Sequence, residues 1–573
     1  MKGKNFYVIL IAFIAAIGGF LLGFDGSVIS GAAPFYKLIF NLQDGSFLFG
    51  FSVSCIIWGA IFGNFFAGPL SDHLGRKPVL LIAAFLFIAS SLITALAGNI
   101  IVFIAGRILA GVGVGIAILV APVYIAEISP PKKRGWLVSF NQLLIVIGLS
   151  AAYFSNYLIL KLVEDPLTNW RWMLGAEVLP SVIYFILIFF IPESPRWLIM
   201  HNQDEKAIKI MNRLGNEVEV QEDFNNIKKS IEHKTESGMI SQAKEFFSKK
   251  MKSILIIGFG LAIFQQLSGI NAVLYYAPMI FESAGGGRDT AFIQAVILGL
   301  VFMVMTIASM FFIDKLGRKP LLFIGVAIMA ISLLFTGIAF KNASYVVEQN
   351  KIDNIATEVF KADVWSRAKT LHPELITYTS INLYNGFAEI ADKSNTVKRI
   401  DYSSSGLQAS LNTKDKFISN IRSLSGQTYP DELQFYAAIR HAIKDTSIKA
   451  EPYLPLLLKE GIRINSTFVL ISILGFIAGF SISLGPVMWA MFSEIFPNRL
   501  RGLAISAVGM VNAFTSFLVA TFFPMQLNKF GSSATYFIYA AFMFLCLLFV
   551  WKYVVETKGK SLEQIEQELI NKK

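Results

Sequence analysis

Reactive side chains are scarce in this chain. Its 573 residues include two cysteines and five histidines. Cys55 and Cys546 both fall inside hydrophobic runs, which leaves no disulfide framework and no thiolate zinc site. The histidines are scattered outside the middle of those runs, and no nucleophile–base set stands out. The reading is therefore of a non-enzyme with no resident metal or cofactor. Charge is scarce too: 16% of residues are Asp, Glu, Lys or Arg, against roughly 25% in soluble domains. A cleavable leader is also missing from the expectation, because Lys2 and Lys4 lead straight into a full-length apolar run with no small-residue cleavage site.

What the chain does have is apolar length. Hydrophobic residues make up 54% of it, and runs long enough to span a bilayer occur near 6–33, 47–70, 79–97, 100–121, 136–160 and 172–191. They resume near 253–281, 290–313, 320–340, 463–492, 502–524 and 532–555. The expected class is an all-α polytopic membrane protein with twelve transmembrane helices in two six-helix halves. The net charge of +11 would suit nucleic acid or acidic lipid, but it sits in short loops between apolar runs, which points to membrane lipid and away from nucleic acid. Asp72–Lys77, Lys132–Arg134, Asp314–Lys319 and Arg499–Arg501 all carry basic residues, while intervening loops such as Gly98–Ile100 and Leu527–Ser533 carry few. Basic loops face the cytoplasm, so both termini are expected there.

An internal repeat supports the two halves. Asp72-His-Leu-Gly-Arg-Lys-Pro78 recurs as Asp314-Lys-Leu-Gly-Arg-Lys-Pro320, and Glu127-Ile-Ser-Pro-Pro-Lys-Lys-Arg-Gly135 as Glu494-Ile-Phe-Pro-Asn-Arg-Leu-Arg-Gly502. The offsets, 242 and 367, differ by 125 residues, which places an insertion of about that size in 341–461. The expected parts are residues 1–191, a cytoplasmic linker 192–252 of short helices, helices seven to nine in 253–340, the insertion 341–461 outside the membrane, helices ten to twelve in 462–555, and a cytoplasmic tail 556–573. Within the insertion, Ile352, Ile355, Ala356, Val359 and Phe360 fit one face of a helix. Leu433, Tyr436 and Ile443 fit another after Pro430-Asp431. The insertion is thus expected to be a small, mainly helical segment. In the tail, Ser561-Leu-Glu-Gln564 reads as a capping box.

Ionisable residues inside the apolar runs are functional candidates, since a charge there costs at least ~2.5–3.5 kcal/mol. Asp25 lies in the first run and Arg107 in the fourth. If they pair, the guanidinium favours the carboxylate while burial favours the neutral acid, which suits a proton carrier; a static pair that fixes helix packing is the alternative. On the seventh run, Gln265, Gln266 and Asn271 lie within seven residues, and amides donate and accept hydrogen bonds as sugar hydroxyls do. Tyr275, Tyr276 and Trp489 offer apolar surface for a pyranose face. Interhelical bonding is the rival use of those amides. Gly111-Val-Gly-Val-Gly115 is not a dinucleotide loop, because it lies within a span; Gly111 and Gly115 read as a close-packing pair.

These elements resemble the sugar porters of the major facilitator superfamily over nearly the whole chain, the insertion excepted. The matching motifs are Gly75-Arg76-Lys77, Pro122-Val-Tyr-Ile-Ala-Glu127, Pro192-Glu-Ser-Pro-Arg-Trp197, Gln265-Gln-Leu-Ser-Gly-Ile-Asn271, Gly317-Arg-Lys319, Gly485-Pro-Val-Met-Trp489 and Glu556-Thr-Lys-Gly559. The resemblance implies alternating access to a central sugar site contacted by Gln142, Gln265, Gln266, Asn271, Trp489 and Asn512, with Tyr275 and Tyr276 as outer-gate aromatics. It implies a cytoplasmic charge network of Asp72, Arg76, Glu127, Arg134, Glu193, Arg196, Asp314, Arg318, Glu494 and Arg501 that latches the outward-facing state. Asp25 and Arg107 match the proton-coupling pair of the family's bacterial xylose–proton symporters, where facilitative members carry Asn at the Asp25 position. Phe302 and Ala513 depart from the family's sugar contacts, and Val555 from its usual proline. The expected protein is a proton-coupled monosaccharide (hexose or pentose) symporter, functional as a monomer in a bacterial inner membrane. Its partners are a sugar, protons and lipid. A facilitative uniporter or a non-transporting sugar receptor are the alternatives.

Overall fold

The computed structural model describes residues 2–560 and 564, apart from 44, 131–132, 164, 166, 215–219, 222–223, 226, 229–244, 249–250, 347, 349–379, 384–386, 392–396, 402–418, 421, 444–460, 498–499 and 561–563. Eleven helical stretches among them are long and apolar enough to cross a membrane. In chain order the first half holds α1 (Lys2–Ile39), α2 (Phe47–Leu74), α3 (Arg76–Leu96), α4 (Ile100–Ile128), α5 (Arg134–Leu162), and a sixth span made of α6 (Asn169–Gly175) and α7 (Val178–Ile188). Two short helices follow, α8 (Pro195–Met200) and α9 (Asp204–Leu214).

The second half holds α10 (Lys252–Leu267) and α11 (Ile270–Ser283), which share one span, then α12 (Arg288–Leu316) and α13 (Arg318–Lys341). After the insertion come α15 (Ser466–Ile482) and α16 (Pro486–Ile495), again one span, and α17 (Arg501–Tyr553). At ~1.5 Å per residue, the 53 residues of α17 far exceed a bilayer. It breaks at Gly531 (φ 79°, ψ 166°), where the chain turns back. Asn528 lies against Gly45 and Lys319 Nζ bonds Trp551 O at the opposite end. The two arms make the spans twelve.

Close approach sets the first half. A Cβ on Gly59 would stand 2.0 Å from Ile108 O, and one on Gly111 would stand 2.0 Å from Ile56 O. Gly63 and Gly115 meet the facing backbone in the same way. The glycine pair read from the sequence therefore interlocks α2 and α4 with no room for a side chain.

One end of the molecule carries the basic motifs and the other carries the insertion. In the insertion, β1 (Ser344–Val346) pairs antiparallel with β5 (Thr428–Tyr429) and β6 (Ile462–Arg463), with Tyr345 opposite both Tyr429 and Ile462. A second sheet joins β2 (Ser380–Leu383), β3 (Phe387–Ala391) and β4 (Val397–Asp401) as a meander with Ile390 opposite Ile381 and Lys398. Among its described residues the insertion thus carries short strands beside a helix: runs of two to five residues are too short to show a period in sequence. The helix expected after Pro430-Asp431 is α14 (Glu432–Ile443). Its buried stripe is Phe435, Ile439 and Ala442 rather than Leu433 and Tyr436, because Phe435 packs on Tyr345 and Tyr429 of the first sheet, at 5.6 and 5.5 Å. The side chain of Ile443, the helix face at 352–360, and residues 561–563 of the tail's capping box lie outside the described residues.

Candidate functional site

α1 and α4 carry the two intramembrane charges to one place. Arg107 Nη1 donates to Asp25 Oδ1, and each residue is 1% exposed. Asp25 Oδ2 and the Nε and Nη2 of Arg107 have no hydrogen-bond partner among the described residues. Beside them stands a carboxylate the sequence reading missed. Glu177, 3% exposed between α6 and α7, accepts from Ser91 Oγ at 3.0 Å through Oε2, while its Oε1 has no partner. It lies within the fields of both Asp25 and Arg107. The test that singled out Asp25, an acid inside an apolar run, would have found Glu177 in 172–191 as well.

The amides meet where two spans are broken. Gly269 (φ 83°) separates α10 from α11, and Ser483–Gly485 separates α15 from α16. Gln265 Nε2 reaches across to Leu484 O at 2.8 Å, satisfying a carbonyl freed by the second break. Gln266 Nε2 donates to Gln265 Oε1 and Asn512 Oδ1, both at 3.1 Å. Asn512 Nδ2 donates to Ala262 O at 2.9 Å and Gln265 Oε1 at 2.7 Å. Asn271 Nδ2 donates to Gln266 Oε1 at 3.0 Å and to Ser516 Oγ at 2.6 Å. Four of the predicted contacts thus form one network, and Ser516 is a fifth member that nothing local in the sequence announced. Broken helices at the level of such a network are a recurring way to build a binding site inside a membrane.

Gln142 and Trp489 are exposed and do not join that network; the buried neighbour in this stretch of α5 is Asn141. Tyr276 donates to Ala520 O at 3.1 Å and packs edge-on to Phe49 of the other half, ring centroids 6.0 Å apart. Tyr275 is half-buried, its Cε1 3.7 Å from where a Cβ on Gly26 would stand. Phe302 is buried and packs on Phe480 at 6.3 Å, while Ala513 packs with the first half's core.

At the basic end the charges form two mirrored clusters, one in each half. Arg76 forks onto Glu127, Nε to Oε2 and Nη2 to Oε1 at 3.0 Å each, and reaches Asp72 at 3.1 Å. Glu193 accepts from the backbone N–H of Arg76 and Lys77 at 2.9 and 3.2 Å, and Ser194 Oγ donates to Glu127 at 2.6 Å. In the second half Arg318 donates to Glu494 at 2.9 Å, Glu556 accepts from the N–H of Arg318 and Lys319 at 3.0 Å each, and Thr557 Oγ1 donates to Glu494 at 2.5 Å. Gly75 and Gly317, at φ 100° and 91°, turn the chain so that Glu193 Oε2 and Glu556 Oε2 would lie 2.4 and 2.8 Å from an added Cβ. Glu556 was not among the predicted residues; Glu556-Thr557 repeating Glu193-Ser194 at the end of each half was the available signal.

The two mirrored carboxyls titrate differently. Burial raises Glu193 above its usual range. Burial also pushes Glu556 up, but its backbone N–H donors outweigh that and hold it below the usual value. Of the remaining predicted members, Arg134 and Arg501 turn to the main-chain carbonyls of Ala126 and Phe496. Arg196 is half-buried with no hydrogen bond or ion pair among the described residues, and the side chain of Asp314 lies outside them.

Contacts between the halves gather towards the insertion end. Ser54 and Thr521 share a hydrogen bond at 2.6 Å, Ser150 Oγ donates to Gly299 O at 2.8 Å, and Lys161 pairs with Asp289 at 2.5 Å. Trp58 packs on Phe517 at 5.4 Å. At the basic end, by contrast, the hydrogen bonds named above run within each half.

The profile of the family described as "Sugar (and other) transporter" matches residues 11–360 and 451–569. The chain belongs to the sugar-porter family of the major facilitator superfamily. This sugar porter is 31% identical to the arabinose-proton symporter of Bacillus subtilis over 564 residues, 98% of this chain and 95% of that one. It is 33% identical to a probable inositol transporter 2 of Arabidopsis thaliana, over 99% of this chain and 92% of that one. It superposes on the inward open conformation of the xylose transporter XylE from E. coli with a TM-score of 0.68 at 27% identity, covering 98% and 100% of the two chains. As a member of that family it is an integral membrane transporter, not an enzyme.

Proposed function

We propose that this sugar porter is a proton-coupled symporter of a monosaccharide, a hexose or a pentose, working by alternating access as a monomer. The observation that carries the coupling is the buried Asp25–Arg107 pair, whose remaining polar atoms are left unsatisfied beside Glu177. Removing one partner from a buried pair costs about 3–5 kcal/mol. Protonation of Asp25 does this reversibly: it weakens the hold on Arg107 and supplies the free energy for the halves to rearrange. Glu177 is the second carboxylate within the field of that guanidinium.

The sugar binds the amide network of Gln265, Gln266, Asn271 and Asn512, with Gln142 and Trp489 joining from exposed positions as the site assembles around it. Tyr275 links the two sites. It lies one turn after Asn271 on α11 and faces Gly26, the residue after Asp25, with its Cε1 3.7 Å from where a Cβ there would stand, so occupancy of one site bears on the helix carrying the other. The basic end is the cytoplasmic one, with both termini there and the insertion outside. The Arg76 and Arg318 clusters then latch the opposite, outward-facing state. The similarity to a named proton symporter and to an inward open xylose transporter supports this reading.

The test is uptake into proteoliposomes. An imposed proton gradient should drive accumulation of labelled sugar above equilibrium. Equilibration without accumulation would make the protein a uniporter, and binding without movement a receptor.

A further inference from the structure

A cavity of about 140 Å³ lies at the insertion end between the two halves. One buried water needs roughly 10–15 Å³ on the same measure, so the space exceeds what a few waters require. Its floor is Phe49 and Tyr276, one ring from each half in edge-to-face contact. Its roof is α14, which turns Glu432, Tyr436 and Arg440 towards it. Those residues are spaced i, i+4 and i+8, one face of the helix.

The roof is fixed in place. Glu432 accepts from Ser532 N and Oγ, at 3.2 and 2.7 Å, at the turn beside Gly531, and Leu433 lies over that glycine. On the adjoining face, Phe435 and Ile439 are fully buried, Phe435 packing on Tyr345 and Tyr429 of the insertion's own sheet. The helix is thus built to hold one particular face over the seam between the halves.

The chemistry of the chamber is mixed rather than ionic. Lys37, Arg288 and Arg440 face Glu282 and Glu432, and Arg288 is already paired with Glu282 at 3.1 Å. Near-balanced donors and acceptors beside aromatic rings suit an uncharged polyhydroxy solute better than an ion.

We propose that α14 and the outer ends of the spans form an antechamber that binds the transported polyhydroxy solute above the Phe49–Tyr276 closure, with Tyr436 and Arg440 as its ligands from the insertion. This rests on the transport reading above. It gives the insertion a role in capture, ahead of the amide site, and makes Tyr436 and Arg440 determinants of which solutes enter.

The test places a reporter in the chamber wall. Ser283 lines the cavity, Ser283→Cys is close to isosteric, and both native cysteines are buried, so a membrane-impermeant maleimide reports that position. In the full-length protein, at least one of D-xylose, L-arabinose, D-glucose and myo-inositol should slow modification roughly threefold or more, the scale of one aromatic contact. That protection should survive Gln266→Ala with Asn271→Ala and disappear with Tyr436→Ala and Arg440→Ala. No protection by any of the four overturns the antechamber, as does protection that vanishes with the amides or survives the loss of Tyr436 and Arg440. Uptake of the same solutes by the unmodified protein is scored separately. Uptake without protection overturns the antechamber alone, and no uptake overturns the transport reading.

Discussion

The Cε1 of Tyr275 lies 3.7 Å from where a Cβ on Gly26 would stand, so the helix bearing Asn271 faces the helix bearing Asp25 one residue from the carboxylate. An Ala at Gly26 meets ordinary contact distance, whereas a larger residue must displace the ring. Gly26→Ala should leave sugar-driven proton movement near the unmodified level. Gly26→Leu should lower the ratio of protons to sugar moved, measured in proteoliposomes, or stop transport altogether. Full coupling in Gly26→Leu would remove Tyr275 as the link.

The amide network gives a second expectation. Gln266 bonds Gln265, Asn512 and Asn271, so Gln266→Ala removes a proposed sugar contact and also loosens its neighbours. A neutral hydrogen bond is worth ~0.5–1.5 kcal/mol net. Sugar affinity by equilibrium binding should therefore fall at least roughly threefold, and more than in Ser516→Ala, which trims the edge of the network. Equal affinities would mean that the amides serve helix packing.

Stability should respond most sharply where α2 and α4 interlock. Gly111→Ala would force a methyl to 2.0 Å from Ile56 O, so the backbone itself must move. Overpacking of this kind costs about 1–3 kcal/mol, and detergent-solubilised protein should show a lowered Tm. Gly98→Ala, where an added Cβ meets nothing within 4 Å, should not.

The mirrored clusters predict a pH effect of known sign. Glu556 is held below its ordinary value of 4.5 in the folded protein. Its contribution to stability is therefore full above the unfolded value and is lost as pH falls through the depressed folded one. Thermal stability of the unmodified protein should drop more steeply below about pH 4 than that of Glu556→Gln, which has no proton to gain. Parallel curves would contradict the assignment.

Much of this was legible in the sequence because the bilayer imposes length and hydropathy on every span, and because the repeat kept its spacing. The offset between repeats located the insertion, and Asp25 and Arg107 stood out as charges among apolar neighbours. What could not be read depends on contacts distant in sequence. Gln265 finds its partner at Leu484 O, 219 residues away, across a helix break that hydropathy does not register. Ser516 joins the network only because the arm of α17 before Gly531 packs beside α11. The strands of the insertion are too short to show alternation, and the buried stripe of α14 was misread because its partner, Tyr345, precedes it by some ninety residues. Glu177 was within reach of the reasoning applied to Asp25 and was missed by not applying it.

The central claim is that the Asp25–Arg107 pair couples sugar to protons, and it is tested most directly by pH change inside proteoliposomes when sugar is added without any imposed gradient. The unmodified protein should acidify the lumen as sugar enters. Asp25→Asn should admit or exchange sugar with no proton signal and no uphill accumulation. Sugar entry without acidification in the unmodified protein, or unchanged acidification in Asp25→Asn, would contradict the account.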